Sequence, residues 1–127
     1  MKNFPQLIKE ANEEINTVAV EELKSFMDDT NLIIIDVQSK DAVEQSGMIQ
    51  NAVHCNRGFL EFYFDQRPDN PFKKLDVKPQ NKIVVYCGAG GQGALATKTL
   101  QDMGFKNVSN LEGGSNAWLE AGNTLIK

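Results

Sequence analysis

Positive charge is scarce in this chain, and arginine is scarcer still. Thirteen basic residues stand against 17 acidic ones, for a net charge of −4, and only Arg57 and Arg67 are arginines. The basic field that nucleic acid or an anionic membrane surface requires is missing, so neither partner is expected. No apolar run reaches the ~18 residues of a membrane-crossing helix. The N-terminal MKNFPQLIKEANEEI is broken by Lys9, Glu10, Glu13 and Glu14 before a signal-peptide core can form. A cytoplasmic protein is expected. Two cysteines, Cys55 and Cys87, are too few for a secreted disulfide framework, and no CxxC or Cys/His cluster calls for a metal or other cofactor. The single histidine, His54, lies in a strand-like segment with no partner cluster and is read as structural.

What is present is an alternation of element types in a length suited to one domain, residues 1–127, with a core at about 17–124 preceded by an N-terminal helix. Apolar spacing through Phe4, Leu7, Ile8, Ala11 and Ile15 predicts that helix. A short strand at 17–20 and a helix over 21–27 follow, then a buried strand, LIIID, at 32–36. Ser39 as N-cap and Gly47 as stop bracket a short helix, and AVHC at 52–55 is a further strand. The aromatic RGFLEFYFDQ segment is read as a helix that must cover the sheet, because its apolar face is too wide to be left in water. Pro68, Pro71 and Pro79 make 67–80 a loop. KIVVYC, a helix over ALATKTLQDMG, a strand at 107–111 and a last helix near 115–121 complete the chain. Such alternation predicts an α/β fold with a largely parallel sheet and helices on both faces. Ligands then bind beyond the carboxyl ends of the strands, where Asp36, Cys55, Cys87 and Glu112 all fall, and these four are expected around one crevice.

Cys87 ends the strand KIVVYC and is followed by GAGGQG, with glycine at 88, 90, 91 and 93. Glycines let successive backbone N–H groups converge on one spot, and the next helix adds its positive dipole end. A thiol so placed is expected partly as thiolate, its nucleophilic form. Gly88, Gly90 and Gly93 also fit GxGxxG, with Glu112 about twenty residues on, as in dinucleotide-binding turns. Against that, only 15 residues follow Glu112, and the glycine turn of such domains normally comes first. Cysteine phosphatases place an arginine six positions after the nucleophile, to clamp a phosphoryl group. Gly93 occupies that position, and no Lys or Arg lies between Cys87 and Leu95.

Three stretches, IDVQSKDAVEQSGMIQNAVHCNRGFLEF, VVYCGAGGQGALATKTLQDMGFKNV and LEGGSNAWLEAG, resemble the single-domain rhodanese-like sulfurtransferases in order and spacing, over nearly the whole chain. The resemblance implies a central five-stranded parallel sheet and Cys87 as a sulfur-carrying nucleophile. Cys87 would take the sulfane sulfur of thiosulfate or a low-molecular-weight persulfide and pass it to a thiol, to a protein acceptor, or to cyanide in an assay. Gly88, Ala89, Gly90, Gly91, Gln92 and Gly93 would form the substrate cup, their N–H groups holding the thiolate and the persulfide's terminal sulfur.

The chain also departs from its relatives. Gln92 and Gln38 stand where an arginine is common, and Met48 where a histidine is frequent, which predicts weak thiosulfate turnover and a persulfide as the working donor. Arg57 either supplies the missing cation or is a surface residue at a helix start. Asp36 is expected to orient the loop as a hydrogen-bond acceptor. Cys55 is either a core thiol or a resolving thiol able to bridge to Cys87 in a redox switch. Two function classes remain: a Cys87 sulfurtransferase, and a non-catalytic or redox-regulatory module that carries sulfur or docks to a protein.

Overall fold

The most β-branched segments of the chain are β2 (Leu32–Asp36) and β4 (Lys82–Tyr86). In the computed structural model, which describes Met1–Lys127, they lie side by side and parallel, from Leu32 opposite Lys82 to Asp36 opposite Tyr86. Val53–His54 (β3) flanks β2, Val108–Leu111 (β5) flanks β4, and Asn16–Val18 (β1) closes the far edge. The sheet is five-stranded and parallel throughout, in the order β1-β5-β4-β2-β3. The chain leaves β2 toward β3 on one side and leaves β4 toward β5 on the other. Their carboxyl ends therefore part at a topological switch point, the place where α/β sheets open a crevice.

Alternation along the strands divides the core. Ile35, Val85 and Cys87 face one side, beneath Leu60 and Phe64 of α4 (Leu60–Phe64) and Leu100 of α5 (Gly91–Asp102). Ile34, Val84 and Tyr86 face the other, against Leu23 of α2 (Val20–Ser25) and Trp118 of α6 (Gly114–Glu120). Ser39 caps α3 (Lys40–Ser46) through the Ala42 N–H, and Gly47, at φ 81°, ends it. The N-terminal helix α1 (Phe4–Glu14) lies along the outside of α5, held by the buried Ala11, the Lys98–Glu14 pair at 3.3 Å, and a Gln101 side chain that donates to the Glu14 carbonyl.

Two expectations are revised. Helix α5 begins at Gly91 rather than near Ala94, so Gly91, Gln92 and Gly93 form its first turn. The aromatic segment covers the sheet only in part. A 3₁₀ turn at Arg57–Phe59 leads into α4, which buries Leu60 and Phe64 fully and packs a half-buried Tyr63 against the same core. Phe59 and Phe62 remain at least half exposed and pack on each other at 6.2 Å, and Phe62 meets the exposed Phe72 at 6.0 Å. Phe64, by contrast, is fully enclosed and meets Phe105 edge-on at 5.8 Å. Phe64→Ala is expected to cost about 3–5 kcal/mol and lower Tm by about 10–20 °C. Phe62→Ala should stay within about 1 kcal/mol of wild type. Thermal unfolding of the two variants checks the assignment.

Candidate active site

Cys87 follows the last residue of β4 and is 5% exposed. Its Sγ accepts the Gly90 N–H at 3.0 Å. Gly90 caps α5 at φ 110°, a conformation that β-carbon-bearing residues rarely adopt and that turns its N–H back onto the sulfur. The N–H groups of Gly91, Gln92 and Gly93 make no hydrogen bond within the chain. They are the unpaired donors of a helix start, with the dipole's positive end behind them.

The loop is oriented from below by α6. Ser115 N–H donates to the Cys87 carbonyl at 2.8 Å and Asn116 N–H to the Gly88 carbonyl at 2.9 Å. In a trans peptide the N–H points opposite to the C=O, so the Gly88 and Ala89 N–H groups are turned away from α6. This contact explains Gly114 of the Gly113-Gly114 pair, while Gly113 is kept bare by Ala117 of α6. Both have positive φ, 75° and 61°, and a β-carbon on Gly114 would run into the Cys87 and Gly88 carbonyls. Asn110 of β5 adds a further tie, its Nδ2 donating to the Gly90 carbonyl at 3.2 Å. The Asn110 carboxamide lies where a β-carbon of Gly93 would be, so that position has no room for a side chain.

An open crevice of about 410 Å³ lies over the thiol. One wall comes from the segment after β2, Gln38, Ser39 and Ala42; the floor is the loop through Gln92; and Phe4 of α1 closes one side. No charged residue lines it. Gln38 hangs over Gly88, its Nε2 3.3 Å from where a β-carbon would stand, and its Oε1 is buried without a partner. Phe4 was not singled out in the sequence because its spacing reads as ordinary helix amphipathicity. Asn110 and the Gly113-Gly114 pair had no signal beyond the LEGG stretch.

Of the four residues expected around one crevice, only Cys87 lines it. Glu112 faces a different depression, with Glu21 and Glu120. Asp36 is wholly buried beneath the segment that follows β2: Oδ1 accepts the Gln38 N–H at 2.9 Å, while Oδ2 makes no well-formed hydrogen bond and has the Tyr86 hydroxyl as its polar neighbour. His54 steadies the same segment, donating from Nε2 to the Gln38 carbonyl at 2.7 Å. Arg57 does not supply a cation to the cup. Its guanidinium is taken by Glu61 at 3.2 Å and by Thr99 at 3.0 Å, and Thr99 lies about 12 Å along α5 from Gly91. Cys55 is not positioned as a resolving thiol. His54, Asp36 and Tyr86 are register partners, so Cys55, Val37 and Cys87 form the next row. The two cysteines are then two strand spacings apart, roughly 10 Å between Cα atoms, with buried Val37 between them. A disulfide needs Cα atoms closer than about 7 Å. Cys55 is a core thiol, and burial pushes its pKa up to about 11.

The rhodanese-like domain family model matches residues 19–121, and the chain belongs to that family. A protein of unknown function from Rhodopseudomonas palustris, described as a possible tyrosine phosphatase, is 32% identical, with a TM-score of 0.85 over 99% of this chain and 96% of that one. A human single-domain sulfurtransferase is 27% identical, with a TM-score of 0.72 over 82% of this chain and 95% of that one. A tRNA uridine(34) hydroxylase of Prochlorococcus marinus is 30% identical over 94% of this chain, which spans 43% of that protein.

Burial pushes the Asp36 carboxyl above its usual range, against the Gln38 N–H, the Tyr86 hydroxyl and His54, which pull it down. A carboxyl raised in the folded state favours folding while protonated. That contribution is full below the unfolded carboxylate range and is lost as pH rises through the folded value. Asp36→Asn keeps the Oδ1 acceptor and removes the charge. It is expected to raise Tm at pH 7, by an amount that shrinks as the pH falls through the carboxylate range; a pH-independent difference in the melts would contradict this.

Proposed function

We propose that the protein is a sulfurtransferase in which Cys87 carries a sulfane sulfur from a low-molecular-weight persulfide to a thiol. The observation that carries this reading is the Cys87 sulfur itself, which receives the Gly90 N–H at 3.0 Å at the unpaired start of α5. Negative charge on Sγ, or on a second sulfur attached to it, would meet these N–H groups and the helix dipole. The Cys87 thiolate attacks the outer sulfur of R–S–SH; the S–S bond breaks, RS⁻ leaves, and Cys87–S–SH remains. A second thiolate then attacks the outer sulfur, takes it as R′–S–SH, and restores the Cys87 thiolate. Thiosulfate would enter the same way with sulfite leaving, and cyanide would accept the sulfur as thiocyanate. Neither step needs a base at the nucleophile, which fits Asp36 being buried and absent from the crevice over Sγ. A protein thiol can serve as acceptor, since Ala89 and Gln92 are exposed at the rim.

Phosphoryl transfer, which the description of the Rhodopseudomonas relative raises, is not favoured in this chain. It would need a cationic clamp in the loop, and the position that carries the arginine is Gly93, filled on its side-chain side by Asn110. The same lack of a cation bears on the donor. An anion held without one charge-assisted hydrogen bond loses about 1.5–3 kcal/mol. Gln92 is exposed at the crevice and has room for a longer side chain. Gln92→Arg is expected to lower the apparent KM for thiosulfate about tenfold to a hundredfold in a cyanide-coupled assay, with parallel double-reciprocal lines typical of a two-step transfer. An unchanged KM would show that the missing cation does not set donor choice. Wild-type inactivity with every sulfane donor would leave a thiol-bearing docking module as the account.

A further inference from the structure

Helix α1 lies outside the residues matched by the family model, yet it reaches the site. Its first residue, Phe4, lines the crevice above Cys87. A β-carbon on Gly91 would stand 2.9 Å from Phe4 Cζ and 3.6 Å from Ile8 Cδ1, so the aromatic ring rests directly on the first turn of α5. Gly91 has no positive φ, and its bareness is explained by this contact rather than by backbone strain.

The ring is also held in place. Asn3 Oδ1 accepts the Gln6 N–H and Gln6 Oε1 accepts the Asn3 N–H, each at 2.9 Å, a closed capping box around Phe4, with Pro5 stiffening the turn. At the other end α1 is fastened to α5 through Ala11 and Glu14. A phenylalanine kept 56% exposed at the end of a helix anchored this way leaves much of its ring to solvent beside the thiol. Ala42 and Ala89 add apolar surface across the same opening, and no charged residue lines it.

We propose that α1 is a specificity element and that Phe4 forms an apolar subsite beside Cys87, receiving the carbon portion of the thiol that accepts the sulfur. This rests on the sulfur-transfer reading above and names what that reading leaves open, the class of acceptor: an organic thiol with an aromatic or extended apolar group. Cyanide, which has no such group, passes the ring without using it.

The test is single-turnover discharge of protein preloaded with sulfur from glutathione persulfide, using cyanide and an aryl thiol as separate acceptors, in wild type, Phe4→Ala and Phe4→Leu. Loss of an aromatic contact should slow discharge to the aryl thiol about fivefold in Phe4→Ala, while the cyanide rate stays within about twofold. Phe4→Leu should recover part of the loss. Equal effects on both acceptors, or none on either, would overturn the subsite. Melting curves of both variants accompany the rates, so that a loosened helix, which would change both acceptors together, registers as a contradiction. Failure of the wild type to take up sulfur at all would instead sink the sulfur-transfer reading, and the two failures are distinguishable by mass before any acceptor is added.

Discussion

The site depends on one backbone contact: the first turn of α6 donates two N–H groups, from Ser115 and Asn116, to the carbonyls of Cys87 and Gly88. Peptide planarity converts that contact into chemistry. With these carbonyls pointing down into α6, the N–H groups on the far side of the same peptides must turn away, and Gly90, free to adopt positive φ, brings its own N–H to the sulfur. A side chain at Gly114 would push the loop off its support. The LEGG stretch and the GAGGQG stretch are two halves of one structure, joined where α6 meets the end of β4.

A cup made only of backbone donors and a helix dipole suits small, polarisable, singly charged sulfur better than a dianionic oxyanion. The crevice around Cys87 brings carboxamides, a hydroxyl and apolar carbon to its mouth, but no cation. Arg57, which adjoins the site in sequence, is committed to Glu61 and Thr99. Family membership fixes the scaffold; the uncharged wall of the crevice is the basis for proposing persulfides as donors. Function on a shared fold is decided by such particulars.

The sheet was legible because its evidence is local. LIIID and KIVVY are runs of β-branched residues that only a buried strand accommodates, and the Ser39 cap and Gly47 stop mark α3 at both ends. The position of Cys87 was legible too, since a cysteine between a strand and a run of glycines falls at the start of the following helix, where its sulfur meets the Gly90 N–H. What escaped was whatever depends on register or on distant packing. Cys55 and Cys87 each directly follow a strand, and only the strand order shows Val37 standing between them. Arg57 adjoins the site in sequence but is drawn to Thr99, 42 residues away. Glu112 directly follows β5, much as Asp36 closes β2, yet it turns to the α2 and α6 side. Phe4 lies more than eighty residues before the thiol whose crevice it borders, and nothing in a helical repeat distinguishes it from the other apolar positions of α1. The start of α5 at Gly91 was missed for a similar reason: low helix propensity of glycine argues against a helix, whereas the buried side of that turn, against Asn110 and Phe4, requires it.

Under the proposed function, Cys87 bears the transferred sulfur. The most direct measurement is the intact mass of the fully reduced protein after incubation with glutathione persulfide, for wild type, Cys87→Ser and Cys55→Ser, with the modified residue located by peptide mapping. One added sulfur is expected in wild type and in Cys55→Ser, mapped to Cys87 and removed by cyanide, and none in Cys87→Ser. A sulfur that maps to Cys55, or that persists when Cys87 is gone, would contradict this role.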